Sequence, residues 1–349
     1  MCWVCYSKEK VSKELEGELQ KEIDFLAKYT ETDFHPNSNN IVRDLVHPSL
    51  YLYVNGVSVI KESSTYKCVY EAFDFWGRPY ESSGYQWLPT QFYISSDSKC
   101  KINDYINNLD ENKFQQLYVA LEKLFQVFLP YFEDVWSYTK AMKVYEEGKD
   151  PEYFVKEPVS FKDKELQVIV KIVQYTLQPN GFYEGVWHAE GMSHENIVMT
   201  GIYFLDRDVN ICGGDLHFKR SFTNHERELF HSKFHRGFDA VTVSDFVQKG
   251  FMPLGRFPTE EGYLLVFPNS HIHKLEKMVN ISSDQSASRR IVVFFVVNPD
   301  RKIISTSDVE RQQTVMSLDE AKQHRLESMN ERKYDKAKLN VREVELCEH

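Results

Sequence analysis

Apolar and polar positions change period along the chain. Residues 8–29 place Leu15, Leu19, Ile23 and Leu26 among charges. That spacing predicts an amphipathic helix on a larger body, ending before Pro36. Residues 49–60 run Leu50-Tyr51-Leu52-Tyr53-Val54, then Asn55-Gly56, then Val57-Ser58-Val59-Ile60. β-rich runs around Asn-Gly predict a hairpin, because a type I′ turn needs positive φ at both central residues. Aromatic strand-like segments follow at 67–75 and 86–94. Over 111–129, Phe114, Leu117, Leu121, Leu124, Phe125 and Phe128 form one helical stripe. Such a stripe buttresses a sheet more readily than it lines a ligand pocket. Pro130 should end or kink this helix, leaving a second piece over 131–147.

From residue 166 the pattern becomes that of strands, at 166–177, 187–190, 197–205, 261–268 and 289–297. Gly213-Gly214-Asp215 reads as a tight turn into a short strand at 216–218, and Pro179-Asn180-Gly181 as another turn. Short strands punctuated by Gly and Pro predict a closed or sandwiched β architecture rather than a parallel α/β sheet. The polar stretch 219–252 reads as an insertion and a candidate lid. Its Lys219, Arg220, Arg227, Lys233 and Arg236 could meet substrate carboxylates or form a solvated face. Near the C-terminus, Ser317-Leu318-Asp319-Glu320 is a capping box opening a charged helix to about residue 333.

Composition narrows the function classes. The chain has 349 residues, 42% hydrophobic and 14% aromatic, with 20 Tyr and 24 Phe, enough for a large strand-rich core. Acidic residues number 52 against 42 basic, and no long Lys/Arg run occurs, so no nucleic-acid partner is expected. No apolar run reaches the roughly 18 residues of a membrane span. Met1-Cys2-Trp3-Val4-Cys5 lacks the layout of a signal peptide. Cysteines scattered at 2, 5, 68, 100, 212 and 347 fit reduced thiols in the cytoplasm. Cys2 and Cys5 have the spacing of half a zinc site, with no second pair to complete it.

The chemistry gathers at Trp187-His188-Ala189-Glu190-Gly191-Met192. In a strand, His188 and Glu190 share a face. An imidazole and a carboxylate side by side are two ligands of a 2-His-1-carboxylate triad, the set that holds a non-haem Fe(II). A third ligand could be His271 or His273, which share strand parity, so alternation leaves both open. Arg289 and Arg290 open an apolar strand. An arginine pointing inward there is costly unless it meets an anion, whereas one in solvent merely caps the strand. His231 and His235 are four apart but lack a His-Glu-x-x-His context. His194 and His217 read as surface or packing residues.

The order His-x-carboxylate, Gly-Gly-Asp-Leu-x-Phe, Gly-x-x-x-x-Phe-Pro, His and Arg resembles the 2-oxoglutarate/Fe(II)-dependent oxygenases. One family among them is more closely similar. It reads Leu-Gln-Val-Ile-Val-Lys, Trp-His-x-Glu-Gly-Met, a strand ending near Gly-Ile-Tyr, then Glu-Gly-x-x-x-x-Phe-Pro-Asn with a His four residues on. Here those motifs stand at 166–171, 187–192, 200–203 and 261–269, with His273. Gln86-Trp87-Leu88-Pro89 and Tyr105-Ile106-Asn107-Asn108 also match, so the likeness runs from about 80 to 305.

This resemblance implies a mainly β fold with flanking helices and a double-stranded β-helix (jelly-roll) core. Residues 1–150 would buttress a core at 151–305, with 306–349 as a helix and tail. It implies Fe(II) held by His188, Glu190 and His273, and 2-oxoglutarate held by Arg289 beside Thr200. Phe204 stands where some relatives have a tyrosine, and the span from His273 to Arg289 is longer than usual. Glu190 replaces the commoner aspartate but keeps a carboxylate, which argues against halogenation. With O2, such an enzyme oxidises a C–H bond of a small, amino-acid-derived molecule and releases succinate and CO2. A peptide or protein hydroxylase with an open groove is the alternative, and a non-catalytic jelly-roll binding module a third.

Overall fold

Helix α1 (Lys13–Tyr29) starts later than its charge pattern suggests, because the Ser12 hydroxyl accepts the Leu15 N–H and caps it there. The computed structural model describes residues 4–64, 84–146, 157–223, 226–228, 230 and 248–336. Helix α2 (Gln115–Glu146) runs straight through Pro130 instead of ending there. Phe125, Phe128 and Phe132 lie on either side of the proline and are fully buried, so packing outweighs the lost hydrogen bond. In helix α3 (Leu318–Lys336) the capping box forms: the Glu320 N–H donates to Ser317 Oγ, and the Ser317 N–H donates to the Glu320 carboxylate.

The largest sheet has eight strands. Its order is β1 (Cys5–Ser7), β13 (Leu264–Pro268), β9 (Ile197–Arg207), β16 (Ala287–Val297), β7 (Lys164–Leu177), β5 (Thr90–Ile94) and β6 (Cys100–Ile102). The long β7 has room for two partners on one edge, β5 along its first half and β2 (Val42–Val46) along its second. Two three-stranded sheets complete the barrel. One is β10 (Ile211–Gly213), β15 (Met278–Asn280) and β8 (Phe182–Tyr183); the other is β12 (Met252–Phe257), β11 (Leu216–Arg220) and β14 (Ile272–Leu275). A short pair, β3 (Tyr53–Val54) with β4 (Tyr85–Gln86), lies apart. From β7 to β16 the chain passes back and forth between the large sheet and the small ones. That winding is a double-stranded β-helix.

Period-two alternation divides two cores. On β16, Val292, Phe294 and Val296 face α1 and α2, while Ile291, Val293, Phe295 and Val297 face the barrel interior. Strand β7 does the same, with Val168, Val170 and Ile172 outward and Ile169, Val173 and Leu177 inward. Strands buried on both faces read as continuous apolar runs, which is how 166–177 and 289–297 stand out in the sequence.

Two expected elements differ. The 49–60 hairpin does not form, since β3 pairs with β4 rather than with the residues after Asn55-Gly56. The Val57 and Ser58 N–H groups both donate back to the Val54 carbonyl, and the chain then bridges Ile60 to Val309. Segment 187–190 is not a strand either: His188 makes one isolated bridge, to His273. The segment 67–75, Cys2 of the cysteine pair, both His231 and His235, and most of 219–252 lie outside the described residues.

Gly201 marks where α2 touches the sheet. A Cβ there would come within 2.6 Å of Phe132 Cζ and 2.8 Å of the Phe128 ring. Gly201→Ala is therefore expected to cost about 1–3 kcal/mol by overpacking. Urea unfolding measures it, and an unchanged midpoint would show that this helix–sheet contact yields freely.

Candidate metal centre

The His188 N–H donates to the His273 carbonyl at 3.0 Å, and the His273 N–H returns the bond at 2.9 Å. This bridge brings the two rings to a centroid separation of 4.4 Å. Glu190 completes the group: its Oε1 lies 3.4 Å from His188 Nε2 and 3.5 Å from His273 Nε2. The ligand atoms of all three residues lie within 4.8 Å of one another. His271, equal to His273 by parity, is not brought into this group.

The other ring nitrogens decide what the group can bind. His188 Nδ1 lies 2.8 Å from the Val186 carbonyl, and His273 Nδ1 lies 3.2 Å from the His271 carbonyl. A nitrogen facing a carbonyl must donate, so each proton sits on Nδ1 and each Nε2 lone pair points toward Glu190. Three lone pairs thus converge with no proton between them, and a cation relieves that. Two imidazoles and one carboxylate match the donor set of a facial Fe(II) site. Burial beside His188 lowers His273, which stays neutral as a ligand must.

Each residue of the group is held by its surroundings. The Glu190 N–H donates to Asn269 Oδ1 at 3.0 Å, and Asn269 Nδ2 donates to the Glu190 and Ile197 carbonyls. Gly191 follows with φ +68°, and a Cβ there would meet Ile197 Cδ1 at 2.7 Å. The fully buried Glu195 then ties down the loop. Its Oε1 accepts the Trp87 N–H at 2.6 Å, its Oε2 accepts the Met192 N–H at 2.7 Å, and Arg332 of α3 binds both oxygens. Burial pushes Glu195 up, but the Arg332 guanidinium beside it keeps it ionised. On the other side of His188, the Trp187 ring lies under the Lys219 ammonium at 4.2 Å. The rings of Phe267 and Phe218 pack against His273 at centroid distances of 5.0 and 5.9 Å, making an apolar wall.

Arg289 sits deeper on the same inner face, 3% exposed. Its Nη1 donates to Thr259 Oγ1 at 3.0 Å and faces Met278 Sδ. The Tyr175 and Phe204 rings flank the guanidinium at 5.3 and 5.6 Å. Gly214, at φ +82°, leaves space for it, since a Cβ there would lie 3.4 Å from Nη1. Burial lowers Arg289 to about 10, so it remains charged at neutral pH. Among the described residues no carboxylate pairs with it. Arg290 points the opposite way, to Asp24 and Asp206. Thr200 is fully buried on the inner face, across from Phe267 and Phe295, and its hydroxyl has no hydrogen-bond partner among the described residues.

A second group, His35, Asp44 and His47, also has its ligand atoms within 4.8 Å of one another. Its chemistry differs. The Ser49 N–H donates to His47 Nδ1 at 3.1 Å, which leaves the proton on Nε2, and Arg325 stands 3.8 Å from Asp44. Asp44 already has a protein cation and His35 Nδ1 at 2.9 Å, so this is a buried charge network. Burial pushes Asp44 up, but the His47 and His35 imidazoles pull it down to about 2. Burial drives His47 well below its ordinary value, against the pull of Asp44.

The remaining candidates stand elsewhere. His194 Nε2 bonds the Tyr85 carbonyl, and His217 lies 3.3 Å from Glu276. Arg220 grips Glu226 within the insertion, Arg227 is exposed, and Lys219 is fully buried rather than solvated. Lys233 and Arg236 lie outside the described residues. Sequence reasoning missed Asn269, Glu195, Arg332 and Asp44. Asn269 sits inside a quoted motif, but the other three carry no local signal because their partners are remote in sequence.

A family model described as protein of unknown function (DUF4246) matches residues 2–158 and 145–320. The chain belongs to the DUF4246 family. No curated protein matches this DUF4246 member. Among solved structures, IDO from Bacillus thuringiensis is 8% identical, with 84% of this chain and 88% of that one covered and a TM-score of 0.39. The Fe(II)/(alpha)ketoglutarate-dependent dioxygenase TqaL is 10% identical over 88% and 85%, with a TM-score of 0.38. A Pseudomonas putida prolyl-4-hydroxylase is 9% identical over 85% and 94%, with a TM-score of 0.32. Similarity this slight carries no chemistry across to the DUF4246 chain, whose own side chains must supply it.

Two outcomes are expected. Arg332→Met strands a buried Glu195 carboxylate and should cost about 3–5 kcal/mol in urea unfolding. A loss below about 1 kcal/mol would mean that solvent reaches Glu195. Asp44, depressed to about 2, contributes stability that is full above the unfolded carboxylate value and lost as pH falls through its folded value. Between about pH 5 and 2 that contribution is about 2–3 kcal/mol. The acid limb of Asp44→Asn should be shallower than wild type by this amount, and parallel limbs would refute it.

Proposed function

We propose that this DUF4246 protein is an Fe(II)- and 2-oxoglutarate-dependent dioxygenase that oxidises an unactivated C–H bond of a small molecule. The observation that carries the reading is the pairing of two features in one barrel. A 2-His-1-carboxylate group has both Nε2 atoms directed at Glu190, and on the same inner face Arg289 is a buried cation with no carboxylate partner among the described residues. His188, Glu190 and His273 would hold the metal. Arg289 would hold the distal carboxylate of 2-oxoglutarate, with Thr200 on the wall between. When bound, iron, 2-oxoglutarate and O2 supply the oxidising chemistry, with succinate and CO2 as co-products.

The chain's own residues do the rest. The Val186 and His271 carbonyls fix the two imidazoles in the ligating tautomer, and Asn269 fixes the Glu190 backbone. Phe218 and Phe267 exclude water from the His273 side, which strengthens every charge contact inside. A guanidinium held between the Tyr175 and Phe204 rings is already oriented, so it binds a carboxylate with little reorganisation.

Anaerobic addition of Fe(II) and 2-oxoglutarate to the wild-type protein should give a weak visible charge-transfer band. His188→Ala should lose the band. Arg289→Met should keep it but need roughly 10- to 100-fold more 2-oxoglutarate, the weight of one or two charge-assisted hydrogen bonds. A band that survives in His188→Ala would sink the centre described here. Succinate formation screened over metabolites and peptides then separates a small-molecule enzyme from a peptide hydroxylase.

A further inference from the structure

The barrel interior holds a second cation. Along β7 from Ile169 to Leu177 the inward positions are Ile169, Lys171, Val173, Tyr175 and Leu177, and over this stretch every one except Lys171 is apolar or aromatic. Register puts Lys171 beside Val293 of β16, which pairs with Ile202 of β9, which pairs with Leu265 of β13. All three neighbours belong to the interior core. The next inward level toward one end is Ile169, Phe295, Thr200 and Phe267, where Phe267 packs on His273. Two inward levels toward the other end lie Tyr175 and Arg289. Lys171 thus stands along the line from the metal triad to Arg289.

Two properties set Lys171 apart from a structural lysine. It is only half-buried, so its level of the barrel is open to solvent. Among the described residues no carboxylate lies within ion-pair distance of its ammonium, and it makes no hydrogen bond there. Of the nearby carboxylates, Asp44 is already engaged by His35 and Arg325, and Glu190 faces the two Nε2 atoms of the candidate metal group. The Lys171 ammonium is close enough to lower Asp44, His47 and Tyr183, beside the larger effect of burial, which raises Asp44 and Tyr183 and lowers His47. A divalent metal balanced by one carboxylate leaves the centre positive, and Lys171 and Arg289 raise that excess further. Of the two, the buried Arg289 is the costlier without an anion, and Lys171 stands where an entering anion can reach it.

We propose that Lys171 is a second carboxylate-binding residue of the barrel, placed between the metal triad and Arg289. The proposal rests on the oxygenase reading for the identity of one possible guest. The carboxylate could come from the metal-proximal end of 2-oxoglutarate or from the molecule being oxidised. A zwitterionic or acidic metabolite fits the second source, and a neutral hydrocarbon does not.

The test uses the full chain as wild type, Lys171→Met and Lys171→Arg. Calorimetry of the Mn(II)-loaded protein gives the affinity for 2-oxoglutarate. Saturation-transfer NMR with acetate, run with and without saturating 2-oxoglutarate, reports a free carboxylate site. If the anchor serves the co-substrate, Lys171→Met weakens 2-oxoglutarate roughly tenfold or more and Lys171→Arg restores most of the loss. If it serves the substrate, Lys171→Met leaves 2-oxoglutarate affinity alone and removes acetate transfer from the 2-oxoglutarate-saturated protein. A folded Lys171→Met protein with both measurements unchanged overturns the proposal. Loss of folding in Lys171→Met overturns it too, because a lysine that awaits a ligand contributes nothing to the unliganded fold. The two readings fail separately. Wild type that takes up no 2-oxoglutarate sinks the oxygenase, while Lys171-dependent acetate transfer would still establish the anion site.

Discussion

The barrel has to close on apolar inner faces, and it closes around charge. That constraint shapes the molecule. Strands β7, β9, β13 and β16 are buried on both sides, so any charged residue on an inner face must be partnered, coordinate something, or sit where a ligand will come. Glu190 finds two imidazoles, Asp44 finds His35 and Arg325, and Glu195 finds Arg332. Arg289 finds a hydroxyl, a thioether and two rings, which orient a guanidinium without neutralising it. The outer layer of helices makes this affordable: α1 and α2 bury the opposite faces of the same strands and hold the sheet rigid while its interior stays incomplete.

Much of this was legible in the residues because it is local. The paired runs 166–177 and 289–297, the capping box at Ser317 and the Gly213-Gly214 turn each carry their physics within a few positions. Both carboxylate and histidine candidates were visible for the same reason. What was not legible depends on contacts distant in sequence. The Asn55-Gly56 hairpin was a sound local inference, but β3 gains its pairing from Tyr85-Gln86 and the following chain bridges to Val309, so tertiary partners displaced the local turn. Pro130 is a breaker only where nothing compensates, and three buried phenylalanines compensate. His271 and His273 could not be separated by parity, because residues two apart on an extended run share a face. The choice is made by a backbone bridge from a segment that is not a strand at all.

That segment explains why the C-terminal helix belongs to the centre. A loop outside any strand has no ladder to hold it, so Glu190 depends on side-chain clamps. Asn269 supplies one from the end of β13, and Glu195 supplies the other through the Met192 N–H. Glu195 is itself fully buried and needs a full counter-charge, and the only element that delivers one among the described residues is α3, through Arg332. Helix α3 is polar along its length, and its buried arginines are what dock it: Arg325 to Asp33 near α1, Arg332 to the ligand loop. A chain end more than a hundred positions from His188 therefore sets the rigidity of the loop that presents Glu190, and the same helix, through Arg325, balances the Asp44 network on the inner face beside Lys171.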